Sequence, residues 1–229
     1  MVDVPTPLNE AERLATLAAY DVLDTPPEHV FDNIVRTASQ ICGVPVALVS
    51  LVDETRQWFK ARVGIDASET PRELAFCAHT ILSAKPMVVP DARVDERFAD
   101  NPLVTGEPHI AFYAGAPLVA PDGLCLGTLC VIDREPRELT AAQLETLESL
   151  ASVVVDSLEF RRVSRSLASA LERVKTLESL LSMCSRCKKI QTREEKWVPF
   201  EEYLHKQSGT LVSHGLCPQC AGAWTSSAP

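Results

Sequence analysis

From Thr140 to Met183 the chain runs for 44 residues without a glycine or a proline, and no other feature limits the fold as much. Thr140 with Gln143 three residues on makes a capping-box pair, the sequence mark of a helix start. As one helix this stretch would reach about 66 Å at 1.5 Å per residue, which projects beyond a domain of this size. Leu147, Leu150 and Val154 would cover a sheet, whereas Leu167, Ala170 or Leu171, Val174, Leu177 and Leu181 recur every three or four residues, the spacing of a coiled-coil seam. The expectation is a long coiled-coil helix over 140–183 that joins two copies as a parallel homodimer, the alternative being a helix folded back on its own domain.

The residues ahead of that helix read as α+β. Asn9 opens a helical run through Leu14, Leu17, Ala18 and Val22, closed by Asp24-Thr25-Pro26-Pro27. Phe31, Ile34, Val35, Ala38 and Ile41 mark a second helix, which Gly43 and Pro45 stop. Val46 to Val52 and Gln57 to Val63 form one hairpin, and Phe112 to Val119 and Leu124 to Ile132 a second around Pro121-Asp122-Gly123. Between the hairpins lies a long irregular stretch with a short helix near Leu74 to Leu82 and a strand at Met87 to Val89. Long irregular segments inside compact domains tend to be functional.

Composition narrows the partners. A net charge of −9 argues against general affinity for phosphate backbones or anionic membranes. From Cys184 onward six Lys or Arg stand against four acids, a mildly basic tail that reads as a solvated surface, so no nucleic acid is expected. No apolar run approaches the ~18–20 residues of a membrane span, and the first residues lack a secretory pattern, so a cytoplasmic location is expected.

The first domain resembles a known family. Asn9-Glu10-Ala11-Glu12-Arg13-Leu14, Tyr20-Asp21-Val22-Leu23-Asp24-Thr25-Pro26, Phe76-Cys77-Ala78-His79-Thr80-Ile81-Leu82, Val89-Pro90-Asp91-Ala92, Asp95-Glu96-Arg97-Phe98, Asn101-Pro102-Leu103-Val104 and Phe112-Tyr113-Ala114-Gly115-Ala116-Pro117-Leu118 look like the GAF sensor domains of bacterial signalling proteins. The resemblance implies an antiparallel sheet of six strands with helices on its faces, a ligand pocket under the irregular segment, and a closing helix that carries signals. By position, Phe76, Cys77, His79, Asp91, Phe98, Phe112 and Tyr113 are the candidate pocket residues, with aromatic walls and a few orienting polar groups. No bilin attachment motif aligns, and haem is not expected at His79 or His109.

In the tail, Cys184-Ser185-Arg186-Cys187 and Cys217-Pro218-Gln219-Cys220 are two C-x-x-C pairs separated by 29 residues. Two such knuckles suit one tetrahedral Zn²⁺ per chain, with Cys184, Cys187, Cys217 and Cys220 as ligands of a small zinc-ribbon-like domain and His214 beside them. The segment also resembles a cysteine-rich tail that follows receiver, PAS and GAF domains in bacterial signalling proteins. The expected division is 1–139, a sensor domain; 140–183, a signalling helix; and 184–229, a zinc tail that contacts a protein partner. The expected function is non-enzymatic sensing of a small ligand or partner. The rivals are a thiol/zinc redox switch favoured by Arg186, Lys188 and Lys189, a DNA-binding regulator, and a GAF-type methionine sulfoxide reductase using Cys77, Cys125 and Cys130, whose spacing departs from that family's pattern.

Overall fold

The two hairpins meet edge to edge because the inner strands of both are apolar on each face and can be satisfied only in the middle of a sheet. The computed structural model describes residues 6–178, 181–192, 194–218 and 221. Helices α1 (Glu10–Tyr20) and α2 (His29–Cys42) lead into β1 (Val46–Val52), β2 (Arg56–Val63) and β3 (Glu69–Pro71). A 3₁₀ turn and α3 (Phe76–Thr80), β4 (Met87–Val89) and α4 (Pro102–Thr105) follow, then β5 (Phe112–Val119), β6 (Cys125–Asp133) and α5 (Ala141–Glu178). All strand pairs are antiparallel, in the order β3-β2-β1-β6-β5-β4, the α+β arrangement expected.

Successive strand residues face opposite ways, so each strand serves two cores. Ala47, Val49 and Leu51 of β1 with Phe112, Ala114 and Ala116 of β5 pack against Leu17 and Tyr20 of α1 and Phe31, Ile34 and Val35 of α2. Leu147, Ala151, Val154 and Leu158, one face of α5, close the same layer. The cap of α5 is the capping box read from sequence: Gln143 donates its backbone N–H to Thr140 Oγ1, and Thr140 N–H reaches Gln143 Oε1. Helix α2 ends on Gly43 at φ 66°, the left-handed conformation in which glycine carries no steric penalty.

Where β1 pairs with β2 the register slips: Val49 faces Ala61 but Ser50 faces Phe59. Lys60 is therefore the extra residue of a bulge, and its ammonium turns to the helix side. There it donates to Thr25 Oγ1 (2.9 Å), Pro26 O (2.8 Å) and Glu28 Oε1 (2.6 Å) above the Phe31 ring. Glu28 Oε1 also accepts from Arg161 of α5, whose guanidinium reaches the carbonyls of Tyr20 and Asp21. One carboxylate thus ties the sheet, the α1–α2 linker and the closing helix.

Two compact units divide the chain, residues 1–167 and 168–229. The second holds a two-stranded ladder of β7 (Ile190–Gln191) and β8 (Trp197–Val198), followed by α6 (Phe200–Ser208). Here the sequence reading is corrected. The zinc site is not found: among the described residues no group of three or more His, Cys, Asp or Glu could hold a metal ion. Cys184 and Cys187 share a tight turn, the Cys187 N–H pointing at Cys184 Sγ (3.5 Å), but Cys217 does not join them in a donor set. Cys220 lies outside the described residues. His214 sits beside Glu201 at 3.3 Å, not in a thiolate set, so the described residues of the tail form no zinc ribbon and no metal centre.

The coiled coil is corrected as well. Helix α5 is long, but Leu167 and Leu171 are more than half exposed, and among the described residues no second helix packs along them. The described helix runs to Glu178, and Met183, outside it, bridges Ile190. The side chains of Val174 and Leu177 lie outside the described residues. No described helix is long and apolar enough to cross a membrane.

Candidate functional site

The sheet face away from the long helices carries Leu48 and Val52 of β1, Phe59 of β2, Tyr113 of β5 and Cys130 of β6, roofed by α3 and the segment that carries Ala92, Phe98, Val104 and Ile110. Roof and sheet do not meet everywhere. Between them is a cavity of about 380 Å³, walled by Val46, Leu48, Phe59, Ile65, Phe76 and Ile110 among others, within the usual size range of small-ligand pockets.

Two polar groups interrupt the apolar wall. Gln57 of β2 stands opposite Val52 of β1 and opposite Thr70 of β3. Paired residues share a face, so the Gln57 and Thr70 side chains sit next to each other on the cavity side, and both line it. Gln57 is 6% exposed. Its Oε1 and the Thr70 hydroxyl are buried without any hydrogen-bond partner. An unsatisfied buried polar atom costs about 1–3 kcal/mol, so this pair is a standing demand for a hydrogen-bonding group in the cavity. Asp66, Glu107, Asp133 and Arg134 stand at its polar margin, with Asp133 held by the backbone N–H of Arg134 and by Arg137.

The residues singled out from sequence fall in three places. Phe76, Cys77 and Tyr113 line the cavity. Phe98 stacks behind Phe76 at 4.0 Å and meets the His79 ring edge-on at 4.9 Å, so these two support the roof. Burial, helped by the Arg97 charge, lowers the His79 pKa, which favours a neutral ring. Asp91 is tied to Arg93 on the surface. Phe112 lies in the helix-side core, because neighbours on a strand cannot share a face and Tyr113 takes the cavity side. Gln57 and Thr70 were not singled out from sequence. The available signal was a glutamine paired with the continuous apolar run of β1.

Beneath α3 the cavity wall becomes a hydroxyl and thiol cluster. Cys77 Sγ accepts from Thr128 Oγ1 (3.0 Å) and from the Tyr113 hydroxyl (3.4 Å), and lies 3.9 Å from Cys130 Sγ. Tyr113 OH also meets Thr80 Oγ1 at 2.9 Å. Room for that phenol comes from Gly115: a Cβ there would lie 2.2 Å from the Tyr113 oxygen. Burial and the Cys77 charge raise the Tyr113 pKa well above its ordinary value, keeping it a proton donor.

Comparison with known proteins gives four results. A cyclic di-GMP phosphodiesterase of Pseudomonas aeruginosa is 45% identical over 156 residues, 68% of this chain but only 27% of that protein. The GAF domain of a phosphoenolpyruvate-protein phosphotransferase from Coxiella burnetii superposes with a TM-score of 0.52 at 14% identity, covering 69% of this chain and 98% of that one, a likeness of fold alone. The GAF domain of an Acinetobacter phosphoenolpyruvate-protein phosphotransferase gives 0.49 at 18% identity, over 68% and 98%. The GAF domain family matches residues 26–158, more than half of the chain, and the chain belongs to that family.

Proposed function

We propose that this chain is a signalling sensor whose cavity takes a small molecule with an apolar body and one polar end that bonds to Gln57 and Thr70. The observation that carries the reading is the pair of adjacent buried polar atoms without partners in a mostly apolar cavity. Phe76, Cys77 and Tyr113 form the wall for the apolar body, with Phe98 and His79 behind them. The segment shared with the phosphodiesterase is too small a part of that enzyme to bring its activity along, and the role read here is regulatory.

Strand β2 carries both Gln57, in the cavity, and Lys60, which meets Glu28 and through it Arg161 of α5. A ligand that shifts β2 would therefore bias α5 through one shared carboxylate. Phe160, Val163, Leu167 and Leu171 along α5 are all more than half exposed, an apolar stripe open to contact with a second copy of the chain. Residues 184–229, with Trp197 and Leu211 exposed, are the proposed contact for a protein partner.

The test is a titration of ¹³C-methyl-labelled protein with 2-piperidone, whose cyclic amide offers both an N–H and a C=O, against methylcyclohexane, which offers neither. The wild type is expected to bind the lactam at about millimolar Kd, shifting the methyls of Leu48, Ile65 and Ile110, and Gln57→Leu to reverse the preference. Lactam binding that is absent, or equal in Gln57→Leu, overturns the reading.

A further inference from the structure

A thiol pair sits in the cavity wall with its own set of proton donors. Cys77 of α3 and Cys130 of β6 both line the cavity, both are buried, and their sulfurs are 3.9 Å apart. Buried cysteines are ordinarily inert because nothing stabilises the thiolate and no reagent reaches it. Neither condition holds here. Thr128 and Tyr113 hydroxyls donate to Cys77 Sγ, and Ser50, paired with Thr128 across β1 and β6, is fully buried with a hydroxyl that has no partner. A sulfur facing this many hydroxyl donors is a place built to hold negative charge. The cavity is large enough to admit a small hydroperoxide.

We infer that Cys77 and Cys130 are a peroxide-oxidised dithiol, in which Cys77 is the attacking sulfur and Cys130 the resolving one. The two are not equivalent. Burial works against ionisation of Cys77, but the hydrogen bonds its sulfur can accept, from the Cys130 thiol first and from the Thr128 and Tyr113 hydroxyls after it, outweigh burial and hold its pKa below the ordinary thiol value. The hydrogen bond with Cys77, and then burial, push Cys130 well above the ordinary thiol range. The Cys77 thiolate attacks one oxygen of a hydroperoxide. The O–O bond breaks, the peroxide is reduced to an alcohol that takes up a proton, and Cys77 becomes a sulfenic acid. Cys130 then loses its proton as its sulfur attacks that of Cys77. The S–S bond forms, the S–O bond breaks, and the oxygen leaves as water. Two thiols and one hydroperoxide thus give one disulfide, one alcohol and one water. Closing 3.9 Å to the ~2.05 Å of an S–S bond draws α3, with Phe76, toward β6 and reshapes the cavity wall. The inference needs the cavity as a route for peroxide and does not depend on a ligand at Gln57.

The experiment treats the full chain with tert-butyl hydroperoxide, unfolds it in N-ethylmaleimide, and maps all eight cysteines by peptide mass spectrometry. The expected result is a Cys77–Cys130 cross-linked peptide that dithiothreitol reverses. Cys130→Ser should stop at a Cys77 sulfenic acid trapped by dimedone, and Thr128→Val should slow Cys77 oxidation about tenfold. Cys77 and Cys130 both alkylated while the tail thiols are already oxidised, or Cys77 linked to any other cysteine, overturns it. The wild-type map by itself separates these outcomes, so a variant that fails to fold leaves the test intact.

Discussion

Replacing Glu28 with glutamine removes the one carboxylate that meets both Lys60 and Arg161. The Lys60 side chain is fully buried and the Glu28 side chain 37% exposed. Breaking a buried ion pair costs about 3–5 kcal/mol. Here the loss is smaller, because half-exposed Glu28 was partly solvated and Lys60 keeps Thr25 Oγ1 and Pro26 O as acceptors. We expect about 2 kcal/mol, or a Tm lower by about 4–8 °C for a chain of this size. Lys60→Met removes the buried charge itself, leaves Glu28 to Arg161, and puts an apolar chain over Phe31, so its cost should stay within about 1 kcal/mol. The sign with pH follows from Glu28. Burial would raise its pKa, but Lys60 and Arg161 hold it below the ordinary value. Its contribution is therefore present above the unfolded pKa and lost as pH falls through the folded one. Urea unfolding of the two variants and the wild type at about pH 7 and about pH 4 measures all of this. A Glu28→Gln cost below about 0.5 kcal/mol, or a Lys60→Met cost as large as that of Glu28→Gln, refutes the reasoning.

Two further predictions concern the ends of the domain. Glu10 accepts from Arg13 and Arg72, which are nearly inaccessible. Burial opposes its ionisation, yet the two guanidinium groups bring its pKa from 4.5 down to about 2. Its stabilisation, at most about 3 kcal/mol, should be full above pH 4.5 and fade toward pH 2, and Glu10→Gln should flatten the unfolding midpoint measured across that window. On α5, the proposed contact between two copies predicts that replacing Leu167 and Leu171 together with glutamate halves the mass read by light scattering, while the Tm of the first unit stays within about 2 °C. An unchanged mass removes that stripe as the dimer contact.

The fold was legible where burial on both faces left its mark. Val46 to Val52 read as a hairpin strand, Gly43 as the stop of α2, and Thr140 with Gln143 as the start of α5. The end of α5 was not legible from breakers alone, because Met183 is taken into a pairing with Ile190 that no helix signal opposes. Spacing misled in the tail. Two C-x-x-C pairs can supply four thiolates but do not by their spacing bring the pairs together, and among the described residues no metal-binding set forms. In the site, Phe76, Cys77 and Tyr113 were visible as residue types in a suggestive segment. Phe112 was misplaced because a type does not say which face a residue takes. The pairing of Gln57 with Thr70 depends on the register of β2 against β3, and the closeness of Cys77 to Cys130 on how α3 docks against β6, neither of which residue types reveal.

The most direct test of the sensing claim is the stability of Gln57→Leu without ligand. If the Gln57 oxygen awaits a ligand, the wild type carries the cost of an unsatisfied buried acceptor, and leucine should raise the free energy of unfolding by about 1 kcal/mol while lactam binding is lost. A variant less stable than the wild type by about 1 kcal/mol or more would mean that Gln57 is already satisfied within the folded chain, and would contradict the account.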